Sequence, residues 1–278
     1  MNRVLGALFG ALLLAGCGVP GQTAETPQQV VSTATDKMSH LQSAKFDMTV
    51  TTLEQFPAAF TQILGPQGAA LSNLSIDVSG KGQAKFPGQA SMAIQVKTGS
   101  ITVSTDMVVS DGKVYVKDPQ SGTFSTPAGG DTLSQFTNQA DPLSGASILK
   151  TVRSIKDLGD TTLNGVAVHH YEIVPDKDKV ADQATTDEAK ALLRSMLQSG
   201  TIRLEVWISK DDHLLRRFKN DTDASVDLNQ VLQATGQDLP AGVSVPPGTT
   251  VHTVVHATVD YHDFNTPVTV TVPPVSSP

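Results

Sequence analysis

The tightest constraint on this chain is a two-residue hydrophobic period that keeps returning along its length. Phe46, Met48 and Val50 alternate with polar residues, as do Leu74, Ile76 and Val78, then Met92, Ile94 and Val96. Such alternation sets all the apolar side chains of a strand on one face, which suits a sheet with one covered and one wetted side. Ile101 and Val103 continue the pattern. Asp111-Gly112 separates Met107–Val109 from Val114–Val116, and Asn164-Gly165 precedes Val166–Val174. Both dipeptides favour the positive φ angles of tight hairpins. Thr201–Ser209 follows with Ile202, Leu204, Val206 and Ile208 on one face. Leu214–Asn220 after the Asp211-Asp212 turn, Val251–His262 and Val268–Val272 complete a set of about ten strands. Short turns between most of them imply an antiparallel meander.

Helical spacing interrupts the strands in a few places. Val31, Ala34, Met38 and Leu41 recur at turns of a helix, and Phe56, Ala59, Phe60, Ile63 and Leu64 form a second stripe behind Pro57. Leu133–Val152 reads as helical in parts, broken at Pro142. Thr185-Thr186-Asp187-Glu188 has capping-box spacing ahead of Leu192, Leu193, Met196 and Leu197, with Gly200 just past the end. Asp227–Gly236 is a shorter candidate. The class is therefore α+β: one large antiparallel sheet with helices against one face.

The N-terminus sets the context. Arg3 precedes an apolar run from Val4 to Ala15 that is too short to span a bilayer, and the run ends in Leu14-Ala15-Gly16-Cys17. That tetrapeptide resembles a bacterial lipobox, in which the cysteine is acylated and the peptide is cut just before it. Residues 1–16 are thus expected to be a signal peptide, and 17–27 a lipidated cysteine followed by a flexible tether. A single domain should fill 28–274, leaving 275–278 as a tail. Cys17 is the sole cysteine, so no disulfide framework or Cys-based zinc site exists. A formal charge of −7, with Arg216-Arg217 as the one basic cluster, argues against nucleic acid as a partner.

Catalytic signatures do not emerge. The chain has no Gly-x-Ser-x-Gly elbow and no P-loop, and Gly80-Lys81-Gly82 reads as a turn or bulge between strands. His252, His256 and His262 share a strand face, but His252 and His256 would stand ~13 Å apart, too far to hold one metal. His169 and His170 point to opposite faces. Asp176-Lys177-Asp178-Lys179 reads as a solvated loop. No cofactor and no metal are expected, and the protein is expected not to be an enzyme.

Several stretches in order resemble the LppX/LprA/LprF/LprG family of bacterial lipid-binding lipoproteins. They are Asp111-Gly112-Lys113-Val114-Tyr115-Val116, Asn164-Gly165-Val166 with His170-Tyr171-Glu172-Ile173, and Glu205-Val206-Trp207-Ile208 before Leu214-Leu215-Arg216-Arg217-Phe218. The closing Asp263-Phe264-Asn265-Thr266-Pro267-Val268 completes the set. The resemblance implies a curved half-barrel related to the Lol lipoprotein carriers, with helices on its concave face around an apolar cavity. It further implies an acylated lipid or glycolipid as ligand, a membrane lipid transporter as partner, and a place on the extracytoplasmic face of the cell membrane, held there by the lipid anchor. Leu53–Asn73 and Asp227–Thr250 depart from the family pattern as extra helix-bearing segments.

In a half-barrel the concave face takes the apolar parity of each strand. That parity selects as cavity lining Phe46, Met48, Val50, Leu74, Ile76, Val78, Met92, Ile94, Val96, Ile202, Leu204, Val206 and Ile208. Facing them are Val31, Met38, Leu41, Phe56, Phe60, Ile63, Leu64, Leu192, Leu193, Met196 and Leu197. Trp207 falls on the convex side with Arg203 and Glu205. The leading expectation is a lipid carrier with Phe56–Leu64 as a lid. The alternative is an envelope scaffold or sensor with a filled core that binds a protein.

Overall fold

A computed structural model describes residues 25–63, 72–126, 149–182, 184, 186–235 and 244–274. Cys17, the tether up to residue 24, Leu64 and most of the Leu133–Val152 stretch lie outside these residues, as does the side chain of Ile63. Within them, eleven strands form one antiparallel sheet. In chain order they are β1 Ser43–Gln55, β2 Asn73–Lys85, β3 Gln89–Thr98, β4 Ile101–Ser110, β5 Lys113–Lys117 and β6 Phe124–Ser125. Then follow β7 Val152–Leu163, β8 Val166–Pro175, β9 Thr201–Ser209, β10 Leu215–Asp227 and β11 Thr250–His262. Their spatial order is β6-β5-β4-β3-β2-β1-β11-β10-β9-β8-β7, so the last long strand returns to close against the first. Every other neighbour is consecutive in the chain. The fold is α+β, as the alternation implied.

Turn chemistry explains the consecutive pairing. Asp111 and Gly112 sit at φ 52° and 71°, Asn164 and Gly165 at 50° and 82°, as two-residue hairpins require. The two outer strands differ in how they end the sheet. β6 is only two residues long, whereas β7 is long but shifts register twice, at Val152/Ser154 and Asp157/Gly159. Short or bulged edges discourage further strand pairing.

Helix α1, Pro27–Ser39, covers the sheet's apolar face. It opens with a capping box: the Gln29 amide donates to Thr26 Oγ1 at 3.3 Å and the Thr26 amide to Gln29 Oε1 at 2.9 Å. Pro27 occupies the first turn, where no amide is missed. Val30, Val31, Ala34 and Met38 are all buried to 1% exposure or less. They join one apolar cluster with Phe46 of β1, Met92 of β3, Met107 of β4, Ile173 of β8, Val206 of β9, Leu215 of β10 and Tyr261 of β11. Strands from both arms of the sheet reach the same helix, so this face is the concave one. Burial of each Val or Met stabilises by roughly 1.5–3 kcal/mol.

The remaining helices gather near the far ends of β1, β10 and β11. They are α2 Ala58–Ile63, α3 Lys177–Ala181, α4 Asp187–Ser199 and α5 Leu228–Thr235. The two segments that depart from the family pattern meet here: Phe60 of α2, Leu228 of α5 and Val251 of β11 form a second apolar cluster, with Phe56, Val231 and Leu232 packed on it. Phe56 stacks on Phe60 at 5.8 Å.

Four local readings need correction. Asp176–Lys179 is not a loop: Asp176 caps α3 by accepting from the Lys179 amide. The α4 cap falls at Thr186, whose hydroxyl accepts from the Ala189 amide at 3.1 Å, one residue later than the capping-box spacing. Val268–Val272 alternates but is not a strand.

Gly80 and Gly82 lie in the middle of β2 in unbroken register, not at a turn. They are there because β1 leans on them. A Cβ on Gly82 would stand 2.4 Å from Phe46 Cζ and 2.9 Å from Met92 Cβ. Glycine within a strand marks such close approaches. Phe46 is only 2% exposed and has nowhere to go. Gly82→Ala is therefore expected to lower the urea midpoint by an amount equal to about 1–3 kcal/mol. Adding Phe46→Leu should recover part of that loss, because the clash partner is then smaller. An unchanged midpoint for Gly82→Ala would contradict this packing.

Candidate functional site

The concave face supplies the candidate site, and pairing defines which residues belong to it. Phe46 stands opposite Tyr261 and Gly82, Met48 opposite Val259 and Gly80, and Val50 opposite Ala257 and Val78. Gly82 pairs Met92, Gly80 pairs Ile94, and Val78 pairs Val96. On the other arm Phe218 pairs Val206, which pairs Tyr171, and Leu204 pairs Ile173. The strand residues selected by parity all lie on this one face. Sequence reading missed Tyr171, Ile173, Phe218, Val255, Val259 and Tyr261. For β11 the signal lies in the odd-numbered Val251, Val255, Val259 and Tyr261, diluted by Thr253 and by Val254 on the other face.

Burial divides the face into two halves. Beside α1, Met38, Phe46, Met92, Ile94, Leu204, Val206 and Ile208 are buried, so this half is a filled core. Tyr171, 2% exposed, belongs here too; burial above all pushes its phenol up to about 12. Toward the far ends of the strands, Met48, Val50, Leu74, Ile76, Val78, Val96 and Ile202 are half-buried, as are Val255 and Val259. They form a half-buried apolar stretch on β3, β2, β1 and β11, with Ile202 of β9 beyond Thr222 of β10. Phe56 is half-buried and Phe60 buried at its end, in the second cluster. Leu192, Leu193 and Met196 of α4 are half-buried, and Leu197 is 2% exposed. Helix α4 packs on β10 and α5, with Ser199 Oγ donating to the Ser225 carbonyl at 2.7 Å.

Two surface depressions lie elsewhere. One of about 490 Å³ is lined by Asp36, Lys37, His40, Leu41 and Asp212 at the C-terminal end of α1. The other, about 370 Å³, has Lys45, Lys81, Ala93 and Asp106 on its walls and so opens on the convex side. Neither includes the half-buried row.

The trough carries one carboxyl group. Glu54 stands opposite Thr253 and Leu74, on the inward parity of β1. Burial raises its pKa above the ordinary carboxylate value. Thr52, Thr222 and Asn220 share this face, and Thr222 Oγ1 donates to Asn220 Oδ1 at 3.0 Å.

On the convex face the polar side chains satisfy one another. Arg217 forms a two-pronged pair with Asp260, at 2.6 and 2.8 Å, and lies 5.7 Å over the Trp207 ring. The other cover for Trp207 is His170, stacked at 4.2 Å and bonded to Glu205 at 2.6 Å. His256 meets Asp221 and His252 meets Asp223, each at 2.8 Å. Burial alone would raise Asp221, but hydrogen bonds from Lys219 and His256 hold it below the usual range. Arg216 sits at the β10 register shift, bonded to Asp212 and 4.8 Å over Phe264. Among the described residues no cluster of three His, Cys, Asp or Glu could hold a metal.

Comparison with known proteins places nearly all of the described region in one family. Residues 26–271 match the model of the LppX_LprAFG lipoproteins. No curated protein sequence matches the chain. Among solved structures the chain is similar to LprF of Mycobacterium bovis, at 15% identity over 88% of this chain and 96% of that one, TM-score 0.46. It is also similar to LppX of Mycobacterium tuberculosis, at 14% identity over 88% and 97%, TM-score 0.41. A LolA superfamily protein of Nitrosomonas europaea follows at 9% identity over 87% and 93%, TM-score 0.25.

The two halves of the concave face should respond differently to charge. Val206→Asp puts a carboxylate in the filled half, where Val206 is 0% exposed, and is expected to cost on the order of 3–5 kcal/mol or prevent folding. Val78→Asp falls in the half-buried row and should cost about 1 kcal/mol. Chemical denaturation of both variants checks the division; equal losses would mean that the face is uniformly filled.

Proposed function

We propose that this chain, which belongs to the LppX_LprAFG lipoprotein family, is a non-enzymatic carrier that shields the acyl chains of a lipid in its concave trough. The observation that supports this best is the row from Ile76 and Val78 through Val50 and Met48 to Val255 and Val259. These side chains share one face, are apolar, and are buried only in part. A protein with no ligand for that face would gain stability by covering it, at roughly 25 cal/mol for each Å². An acyl chain recovers the same energy on binding, roughly 0.8 kcal/mol per buried CH₂. Two chains then suffice for retention without any covalent step. Among the described residues no helix is long and apolar enough to cross a membrane. Attachment would instead run through acylated Cys17, after removal of residues 1–16, with 17–27 as tether and the outer face of the cell membrane as location. The Phe56–Phe60 stack with α2 is the lid in this reading, since α2 is one short helix resting on α5. A membrane lipid transporter is the class of partner that would load or unload such a carrier.

Native mass spectrometry of the purified chain is expected to show a co-purified acylated lipid. Val78→Asp should fold yet take up less fluorescent lipid from vesicles than the unaltered chain. An apo mass together with no uptake would sink the carrier and favour a scaffold that binds protein. For the anchor, globomycin or Cys17→Ala should leave an uncleaved or unanchored product; unchanged membrane partitioning after both would refute lipidation.

A further inference from the structure

The half-buried apolar stretch does not stop inside the sheet. Val50 of β1 stands opposite Val78 of β2, Val78 opposite Val96 of β3, and Val96 opposite Val103 of β4. In the next inward row Thr52 meets Ile76, Ile76 meets Thr98, and Thr98 meets Ile101. Val50, Val78 and Val96 are half-buried, but Val103 is 40% exposed and Ile101 65%. The inward face therefore runs out onto the tip of the β3–β4 hairpin and meets solvent there. Gly99, at φ 58°, turns the chain at that tip.

From Lys97 to Thr105 the chain carries one charge, that of Lys97, beside glycine, serine, threonine and the two aliphatic side chains. Lys97 is exposed and forms no ion pair among the described residues. Asp77 stands opposite it on β2 but accepts a hydrogen bond from Thr51 Oγ1 at 2.9 Å. Two aliphatic side chains supply far less than the roughly 800 Å² per partner of a specific protein interface. A bilayer surface asks for no matching shape. It takes aliphatic side chains at the acyl boundary, hydroxyls among its head groups, and a cation beside its anionic lipids. Among the described residues β5 pairs with Met107–Ser110 of β4 alone, so the outer edge of Ile101–Asp106 keeps unpaired amides. Such amides suit the head-group region and not the hydrocarbon beneath it.

We propose that the β3–β4 hairpin tip, Lys97–Val103, is a bilayer-contact lip: Ile101 and Val103 dip into the surface of a membrane that holds anionic lipids, and acyl chains pass from it along Val96, Val78 and Val50. This rests on the carrier reading above and adds the surface from which the carrier loads. With a net charge of −7 on the chain, the lip touches a bilayer and does not hold the protein there. Its place in the fold also constrains posture. Glu25 is bonded to His213 at 2.7 Å, in the β9–β10 turn, at the same end of the sheet as the Asp111 turn. The ten residues of β4 put the lip about 33 Å from that end, whereas residues 17–24 reach about 27 Å at most. Anchor and lip meet one bilayer only with the strands tilted toward its plane.

The test reads the lip directly. Cys17→Ala leaves a full chain without cysteine, and a polarity-sensitive fluorophore is attached through Ser100→Cys or, just beyond the opposite end of β4, through Lys113→Cys. Residues 1–16 are common to all variants, so the contrast between the two positions carries the result. With vesicles of phosphatidylcholine and phosphatidylglycerol the label at position 100 should brighten and shift to the blue, while that at position 113 stays as in buffer. Ile101→Asp added to Ser100→Cys should raise the vesicle concentration for half-maximal response at least about tenfold, the scale of one aliphatic side chain returned to water. Lys97→Gln should raise it several-fold on these vesicles and leave it unchanged on phosphatidylcholine alone. Thermal melting followed by circular dichroism establishes that each variant is folded; should Ile101→Asp fail to fold, Ile101→Ser decides. No response at position 100, an equal response at position 113, or a response that folded Ile101 variants keep overturns the lip; uptake of fluorescent lipid by the same chain would then leave the carrier standing. A response at position 100 without lipid uptake keeps the lip as a membrane contact and fails the carrier.

Discussion

Helix α1 lying in the hollow of the sheet is the contact on which the rest of the molecule depends. An open antiparallel sheet of eleven strands has one face that water can wet and one that must be covered. Four residues of α1 are almost wholly buried, and their cluster takes in strands from both arms of the sheet. Without that helix, the concave half formed by Phe46, Met92, Val206 and Ile208 would face solvent. Its capping box and Pro27 fix where the helix starts, at the last two residues of the expected 17–27 tether, so the chain passes directly from tether to core.

The convex face solves the opposite problem. Its charges pair along the strands: Lys45 with Asp263, Lys81 with Asp47, Arg217 with Asp260, and Lys219 with Asp221. Exposed pairs of this kind contribute little stability each. What they supply is polarity, since a strand that slipped by one residue would carry these groups into the core. Trp207 sits among them without loss because His170 and Arg217 cover its two sides.

Much of this was legible because alternation is a local signal. The parities of β1, β2, β3 and β9, and both Gly-containing hairpins, follow from side chains alone. The failures share a cause, which is that a second strand was needed to see them. β7 carries Val152, Ile155 and Leu158 at intervals of three, and two register shifts absorb the mismatch; nothing in the strand itself announces a bulge. The Gly80 and Gly82 pair resembles a turn until Phe46 is laid across it. Val268–Val272 alternates correctly but finds no ladder. For the candidate site, parity says which side chains point inward. It does not say which of them α1 covers, because that depends on where a distant helix comes to rest.

The division of the concave face follows from lengths. α1 has 13 residues, about 20 Å of helix, while β1, β2, β10 and β11 each also have 13 residues, about 43 Å of strand. One such helix cannot cover a face that long; at its end α4 packs on β10 and α5, and Phe60 of α2 meets Leu228 of α5. The part between is left with half-buried Val50, Ile76, Val78 and Val255. A domain is stable by only about 5–15 kcal/mol, and most of the fully buried side chains of this face lie in the filled half. In the carrier reading proposed above, ligand enters and leaves this stretch while the filled half stays packed. That reading assigns stability and ligand capacity to different stretches of the same strands, which a uniformly packed sheet could not achieve.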